Sequence, residues 1–334
     1  MGENSFCKKG EKMMKNSKKK VIIVSVILIF VGLIVTFFGF TLIDFDINKL
    51  NSAEMVENVH EIHENFNNIN VVTDTSDIKF LSATDGKCRI VCNEYDNNIH
   101  SVSVTNNTLT ISESNKQKWF DNIGIFWDET VITIYLPEPE FEKLSIATDT
   151  GDINITNDFS FENAQIETDT GDVVLNCNVK QNIFIETDTG DVSLGDTESE
   201  NISIESDTGK TEIKNVNARG KISAETDTGE VFFEDVNCNN LEIESSTGDI
   251  SLKNTVSSGK MNFESDTGDI SFNASDAAEM HIETDTGDVR GTLLSEKIFI
   301  TQSDTGNINV PKTFSGGKCE IITNTGDIKL EISK

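Results

Sequence analysis

The chain has 334 residues, with 27 basic and 57 acidic side chains, a formal charge of −30, and only 3 prolines and 22 glycines. So little proline and glycine argues against disorder, collagen-like repeats or a proline-rich linker. Residues 1–20 carry +5, residues 21–142 carry −12 and residues 143–334 carry −23. An acidic body of this size repels phosphate backbones, which argues against nucleic acid and toward cations or cationic partners.

In chain order, residues 1–20 form a basic tail and residues 21–43 an uncharged apolar run of 23 residues. That covers the ~20 residues a bilayer-spanning helix needs. Lys18, Lys19 and Lys20 precede the run, and Asp44 and Asp46 follow it. The positive-inside rule then predicts a single-pass protein of the cell membrane, N-terminus cytoplasmic and C-terminal domain extracellular. A cleaved signal peptide is the alternative, but its apolar core is only ~7–15 residues long and a small-residue cleavage site follows it. Neither feature fits.

Residues 44–68 read as a stalk. Val56, Val59, Ile62 and Phe66 recur at near-helical spacing and Ser52 is placed to cap them, which predicts a short amphipathic helix. His60, Glu61, His63 and Glu64 lack the H-E-x-x-H spacing of a metalloprotease, so a solvated face is the preferred reading.

Beyond the stalk the chain repeats. Ten Thr-Gly steps place glycines at 151, 171, 190, 209, 229, 248, 268, 287, 306 and 326, always 19 or 20 residues apart. A degenerate copy, Val71 to Ile78, starts the pattern early. In one unit Ile183, Ile185 and Thr187 share a face before the turn, and Val192 and Leu194 share one after it. This is the period of half-buried strands, with no helical pattern in any unit. The glycine points to a turn that needs positive φ. Units this short bury their apolar faces only by stacking, so the predicted fold is all-β: a β-solenoid with about two strands per rung. Residues 69–142 form irregular first rungs with an aromatic insertion, and residues 143–334 the regular ones.

With its apolar run, the segment Val131-Ile132-Thr133-Ile134-Tyr135-Leu136-Pro137 and the repeated E-T-D-T-G-D-V unit, the chain resembles a bacterial family of putative adhesins known by its β-strand repeats. The resemblance covers roughly residues 60–334. It implies a membrane-associated solenoid, sometimes linked to envelope stress, and brings no catalytic residues.

Asp-Thr-Gly, the triplet of aspartic proteases, occurs eight times. A protease needs two such carboxylates sharing one proton in a dry cleft. A register of outward copies is the opposite arrangement. Glu186 and Asp188 belong to one outward set with Glu167/Asp169, Glu205/Asp207, Glu225/Asp227, Glu264/Asp266 and Glu283/Asp285, and a second acidic column follows the turn. Like charges ~5 Å apart repel by nearly 1 kcal/mol even at water's dielectric. Two readings follow. The Asp before Thr-Gly accepts turn amides and the other carboxylates keep the surface soluble. Alternatively calcium sits between rungs, with Asp169, Asp172, Asp188, Asp191, Asp266, Asp269, Asp285 and Asp288 as ligands. Thr187 continues the parity of Ile185, which predicts an inward threonine ladder exchanging hydroxyl hydrogen bonds and speaks against an ice-binding array.

The insertion at residues 118–127 holds both tryptophans and reads as an end cap or as a lipid- or partner-binding patch. Cys88 and Cys92, ~13 Å apart along a strand, are too distant for a disulfide, and free buried thiols are expected.

These features add up to a non-enzymatic, membrane-anchored adhesin or envelope scaffold. Its expected partners are cell-wall polymers, cationic peptides or envelope proteins, engaged by many weak contacts. An envelope-stress regulatory partner is the alternative. A β-helix polysaccharide enzyme is a more distant one, with Lys210 and Arg219 as its faint basic candidates.

Overall fold

The computed structural model describes residues 25–42, 53–114, 129–137, 139–155 and 159–333. The basic tail, both ends of the apolar run, residues 44–52 of the stalk and the aromatic insertion lie outside the described residues. Ser25–Leu42 is a helix, long and apolar enough to cross a membrane.

The β body is a solenoid. Each regular rung has one strand before the turn glycine and one after it, as in Asn201–Thr208 and Thr211–Ala218. Successive rungs pair parallel and in register: Ile183 lies on Ile202, which lies on Ile222, then on Leu241 and Met261. Alternation sends Ile185, Ile204, Ile243 and Phe263 into the interior, all fully buried. A fully buried aliphatic or phenylalanine side chain contributes ~1.5–3 kcal/mol, and here each is packed from the rung on either side. Phe66, Phe141 and Phe161 stack as one interior column with ring centroids 5.8 Å apart.

At the turn, two constraints select glycine. Gly190 has φ 151°, and a Cβ there would come under 3.0 Å from the Gly171 carbonyl oxygen, a backbone atom that cannot step aside. Just before the turn, Thr168, Thr187, Ser206 and Thr226 point inward as the parity predicts. Their hydroxyls do not bond to one another. At the equivalent positions Thr323 Oγ1 donates to the Gly287 carbonyl at 3.3 Å and Ser303 Oγ to that of Gly326 at 2.9 Å.

A second corner follows six residues after the glycine, where Asp196, Asn215, Asp235 and Asn254 adopt φ between 49° and 55°. Asp and Asn tolerate that left-handed conformation better than other side chains. Asn215 Nδ2 donates to Asp196 Oδ1 at 3.2 Å and Asn254 Nδ2 to Asp235 Oδ1 at 3.0 Å, tying the corners of adjacent rungs.

The rungs are not stacked in strict chain order. Met280 to Thr286 pairs with Cys319 to Thr325, and only beyond that strand lies Lys297–Thr305. The last rung in sequence is thus slotted inside the one before it. Gly317–Thr325 and Ile328–Ile332 supply the buried Cys319, Ile321, Ile328 and Leu330. The displaced rung ends in the two-residue strand Ile308–Asn309, with Ile308 exposed. The slotted rung is buried on both sides, whereas Ile308, stacked on Ile328, has its other side open.

The N-terminal end repeats the device. Asn68–Thr73 lies between Thr108–Glu113 and Glu140–Thr150, and Ser76–Ser82 lies between Thr130–Leu136 and Ile153–Ile155. Antiparallel strands then cover the outer rung: His100–Thr105 on Thr108–Glu113, and Cys88–Tyr95 on Thr130–Leu136.

The expected helical stalk is corrected here. Met55–Ile62 is a strand, paired antiparallel along its length with Cys88–Tyr95. Val56 and Ile62 fit a period of two as well as a helical one, and Val59, which only the helical reading buries, is 52% exposed. An unpaired neighbouring edge decided the conformation.

Substituting Gly190 with Val, or even Ala, is expected to destabilise the β body by at least ~3 kcal/mol, since strained φ and a backbone clash act together. Chemical denaturation of the full chain checks this; a wild-type midpoint for Gly190→Ala would contradict the close-approach account.

Candidate functional site: the carboxylate columns

The outer face of the strands before the turn carries one residue type per column. In-register pairing lines up Glu167, Glu186, Glu205, Glu225, Glu244, Glu264 and Glu283 without interruption. Ala147 borders this column on one side and Ile322 on the other. Two residues further on stand Asp169, Asp188, Asp207, Asp227, Asp266 and Asp285, all exposed, with Ser246 as a break. A shallow groove of about 90 Å³ runs between the two columns, lined by Glu186, Asp188, Glu205, Asp207, Glu225 and Asp227. Asn163, Asn182 and Asn201 form a flanking ladder through side-chain bonds of 3.0 and 3.2 Å.

The aspartates after the turn play a different part. The amide at this position has no backbone partner in the ladder, and a carboxylate of the neighbouring rung accepts it. Asp152 Oδ1 accepts from Asp172 N at 2.9 Å, Asp172 Oδ1 from Asp191 N at 2.8 Å, and Asp191 Oδ1 from Lys210 N at 2.7 Å. Asp249, Asp269 and Asp288 continue the ladder, and Asp327 ends it by accepting from Asn307. The amide-accepting role expected of the Asp before Thr-Gly therefore belongs to the Asp after it. Parity predicted which side chains point outward, but not which of the two aspartates lies beneath the next rung's N–H.

Crowding shows in the carboxyl groups. Glu186 is held above its ordinary value of 4.5, first by desolvation and then by Glu205, Glu167, Asp188 and Asp207. Glu244 is raised the same way, by desolvation and then Glu225 and Glu264, and Asp149 by desolvation, Asp74 and Asp169. Glu212 is lowered by hydrogen bonds from Lys210 and Lys214.

Of the eight aspartates expected to bind calcium, Asp169, Asp188, Asp266 and Asp285 stand in the outer column, and Asp172, Asp191, Asp269 and Asp288 in the amide-accepting ladder. At the Asp269–Asp288 step a cation of the chain is already present: Arg290 Nη1 lies 2.8 Å from Asp269 Oδ2 and 3.9 Å from Asp288 Oδ2. Among the described residues, the group whose metal-ligating atoms all lie within 4.8 Å of one another is Cys92, Glu94 and His100, and none of the eight belongs to it. Lys210 and Arg219 bind Glu212 at 2.8 Å and Glu200 at 3.0 Å, not each other or a common cleft. The cysteines at 88, 92, 177, 238 and 319 are free and buried. Burial pushes the thiols of Cys177 and Cys319 up to about 12.

A family model described as Toastrack DUF4097 matches residues 66–225 and again residues 219–334. No curated protein matches the chain. Among solved structures it is similar to a putative adhesin from Bacteroides fragilis, at 16% identity over 84% of this chain and 98% of that one, TM-score 0.41. A putative adhesin from Parabacteroides distasonis has 12% identity over 84% and 98% of the two chains, TM-score 0.43. A putative cell adhesion protein from Clostridium sporogenes has 11% identity over 84% and 100%, TM-score 0.22.

Two outcomes are expected. Asp191→Ala removes the acceptor of Lys210 N and lowers stability by about 1 kcal/mol, whereas Asp188→Asn stays within about 0.5 kcal/mol of wild type or stabilises; equal losses in denaturant would refute the division of roles. Carboxyls raised in the folded state oppose folding while ionised, so stability should grow as pH falls through their folded values toward 4.5. The salt-bridged Glu212 loses its contribution only below that range. Calorimetry should show the melting temperature rising from about pH 7.5 to about pH 5, less so in ~0.5 M salt. A fall over that interval contradicts the repulsion account.

Proposed function

We propose that this chain, which belongs to the Toastrack DUF4097 family, is a non-catalytic, membrane-anchored protein of the cell envelope that engages cationic partners along its carboxylate columns. The uninterrupted seven-glutamate column carries this reading. Its carboxylates recur every ~4.8 Å, so a flexible polycation finds a charge at every step instead of one defined pocket. Each exposed ion pair contributes little, ~0–1 kcal/mol, and affinity comes from their number. Cationic peptides and amine-bearing wall polymers would bind directly, and anionic wall polymers through shared divalent cations. Calcium acts here as a counterion held along the columns. The helix Ser25–Leu42 supplies the anchor, with the basic tail cytoplasmic and the β body outside.

Oligolysine binding to the full chain in detergent tests the reading. Affinity should fall steeply with salt and drop at least ~10-fold in Glu186→Gln/Glu205→Gln/Glu225→Gln, with the melting temperature unchanged or raised. Millimolar Ca²⁺ and Mg²⁺ should each raise the melting temperature by similar amounts. Oligolysine binding that survives the triple substitution would exclude these columns as the site.

A further inference from the structure

We propose that Cys92, Glu94 and His100 form a buried binding site for a zinc-class divalent cation that clips the N-terminal cap of the solenoid together. The three residues are 0%, 1% and 4% exposed. Cys92 and Glu94 share the inner face of Cys88–Tyr95, and His100 opens the next strand, His100–Thr105. Sγ, a carboxylate oxygen and a ring nitrogen all lie within 4.8 Å of one another. Tetrahedral ligands 2.0–2.3 Å from zinc stand roughly 3.3–3.8 Å apart, so His100 Nδ1 and Glu94 Oε2, now 2.6 Å apart, would part by under about 1 Å to admit the ion beside Cys92.

The surroundings are built for orientation. Asn58 Nδ2 donates to Glu94 Oε1 at 2.6 Å, and the His100 amide donates to Glu94 Oε2 at 2.8 Å. Thr73 Oγ1 lies 2.9 Å from His100 Nε2 and turns Nδ1 toward Glu94 Oε2, 2.6 Å away. The proton between Nδ1 and Glu94 Oε2 occupies the place a cation would take, and moving it to Nε2, with Thr73 Oγ1 as acceptor, frees the ring lone pair on that side. Two acceptors that close require a proton or a cation between them. Ligating histidines characteristically have the other ring nitrogen hydrogen-bonded in this way. Thiolate, imidazole and carboxylate together favour zinc over calcium or magnesium, which prefer oxygen alone.

Charge balance agrees. The cation displaces two protons: the thiol proton leaves to solvent as the Zn–S bond forms, and the proton between His100 Nδ1 and Glu94 Oε2 passes to Nε2, where Thr73 Oγ1 accepts it. The +2 of the metal is then matched by one thiolate and one carboxylate, leaving no net charge in the interior. Thr73 belongs to the slotted first rung, Asn58 to the outermost strand and the ligands to the two covering strands. A cation here joins the two covering strands directly, and the hydrogen bonds of Thr73 and Asn58 couple it to two more.

The test uses the full chain in detergent, stripped with chelator and supplied with Zn²⁺ or Co²⁺ alone. After dialysis one zinc per chain should remain, and Co²⁺ should give tetrahedral d–d absorption with a thiolate-to-cobalt band. Cys92→Ser should abolish that band and weaken zinc binding at least ~10-fold, while Cys238→Ser, which replaces a buried thiol outside the group, changes neither. Zinc should also slow alkylation of Cys92 relative to Cys88 in the wild-type chain, a readout that needs no variant to fold. No retained zinc, an octahedral cobalt spectrum, or Cys92→Ser binding as tightly as wild type would each overturn the site.

Discussion

The structure depends on backbone approaching backbone at the turn. A Cβ at Gly171, Gly190, Gly209, Gly229, Gly248 or Gly268 would come under 3.0 Å from a carbonyl oxygen of the neighbouring rung's glycine. That contact allows only one register, and the register propagates. Once Gly190 sits on Gly171, Ile185 sits on Ile166, Asp191 N meets Asp172 Oδ1 and Glu186 stands over Glu167. Interior and exterior are then repeated copies of one rung's geometry, coupled to nearest neighbours as in other solenoids.

Much of this was legible because its cause is local. Glycine at a 19- or 20-residue period, strict alternation and the inward turn from Thr187 all follow from single-residue sterics. The corner at Asp196, Asn215, Asp235 and Asn254 went unread although it recurs six residues past the glycine, and Ala274 in the same conformation blurs the signal. Order along the rod was not readable. Ile321 and Ile328 lie inside and Ile308 outside, and a periodic sequence looks the same either way. Met55–Ile62 failed for a related reason, since its conformation is set by the edge it meets at Cys88–Tyr95. Cys92, Glu94 and His100 escaped because Asn58 and Thr73, which orient them, come from strands far away in sequence.

The acidic face sits in tension with the stack beneath it. Parallel pairing in register places glutamate over glutamate, and each added rung adds repulsion while it adds apolar burial. Residual relief comes from the chain's own cations at scattered points, such as Arg290 between Asp269 and Asp288 and Lys210 beside Glu212. Along Glu167 to Glu283 the column is uninterrupted, and the groove at Glu186, Glu205 and Glu225 lies in that stretch. Desolvation and like-charge neighbours together hold Glu186 and Glu244 above their ordinary carboxyl value in that stretch.

Middle and end of the solenoid therefore solve opposite problems. In the middle every rung has a neighbour on both sides, so polar groups are free to face outward and the face can specialise in charge. At the N-terminal end the stack must stop without exposing a parallel edge, and three antiparallel strands do that. Such a cap has fewer stacked apolar columns behind it than an internal rung, so it gains more from a specific interior clasp. The Thr73–His100–Glu94–Asn58 chain sits at that place, and it links the first rung in sequence to the outermost strand of the cap. Diffuse charge on the flank and one compact polar cluster under the cap are two consequences of a fold that repeats everywhere except where it has to end.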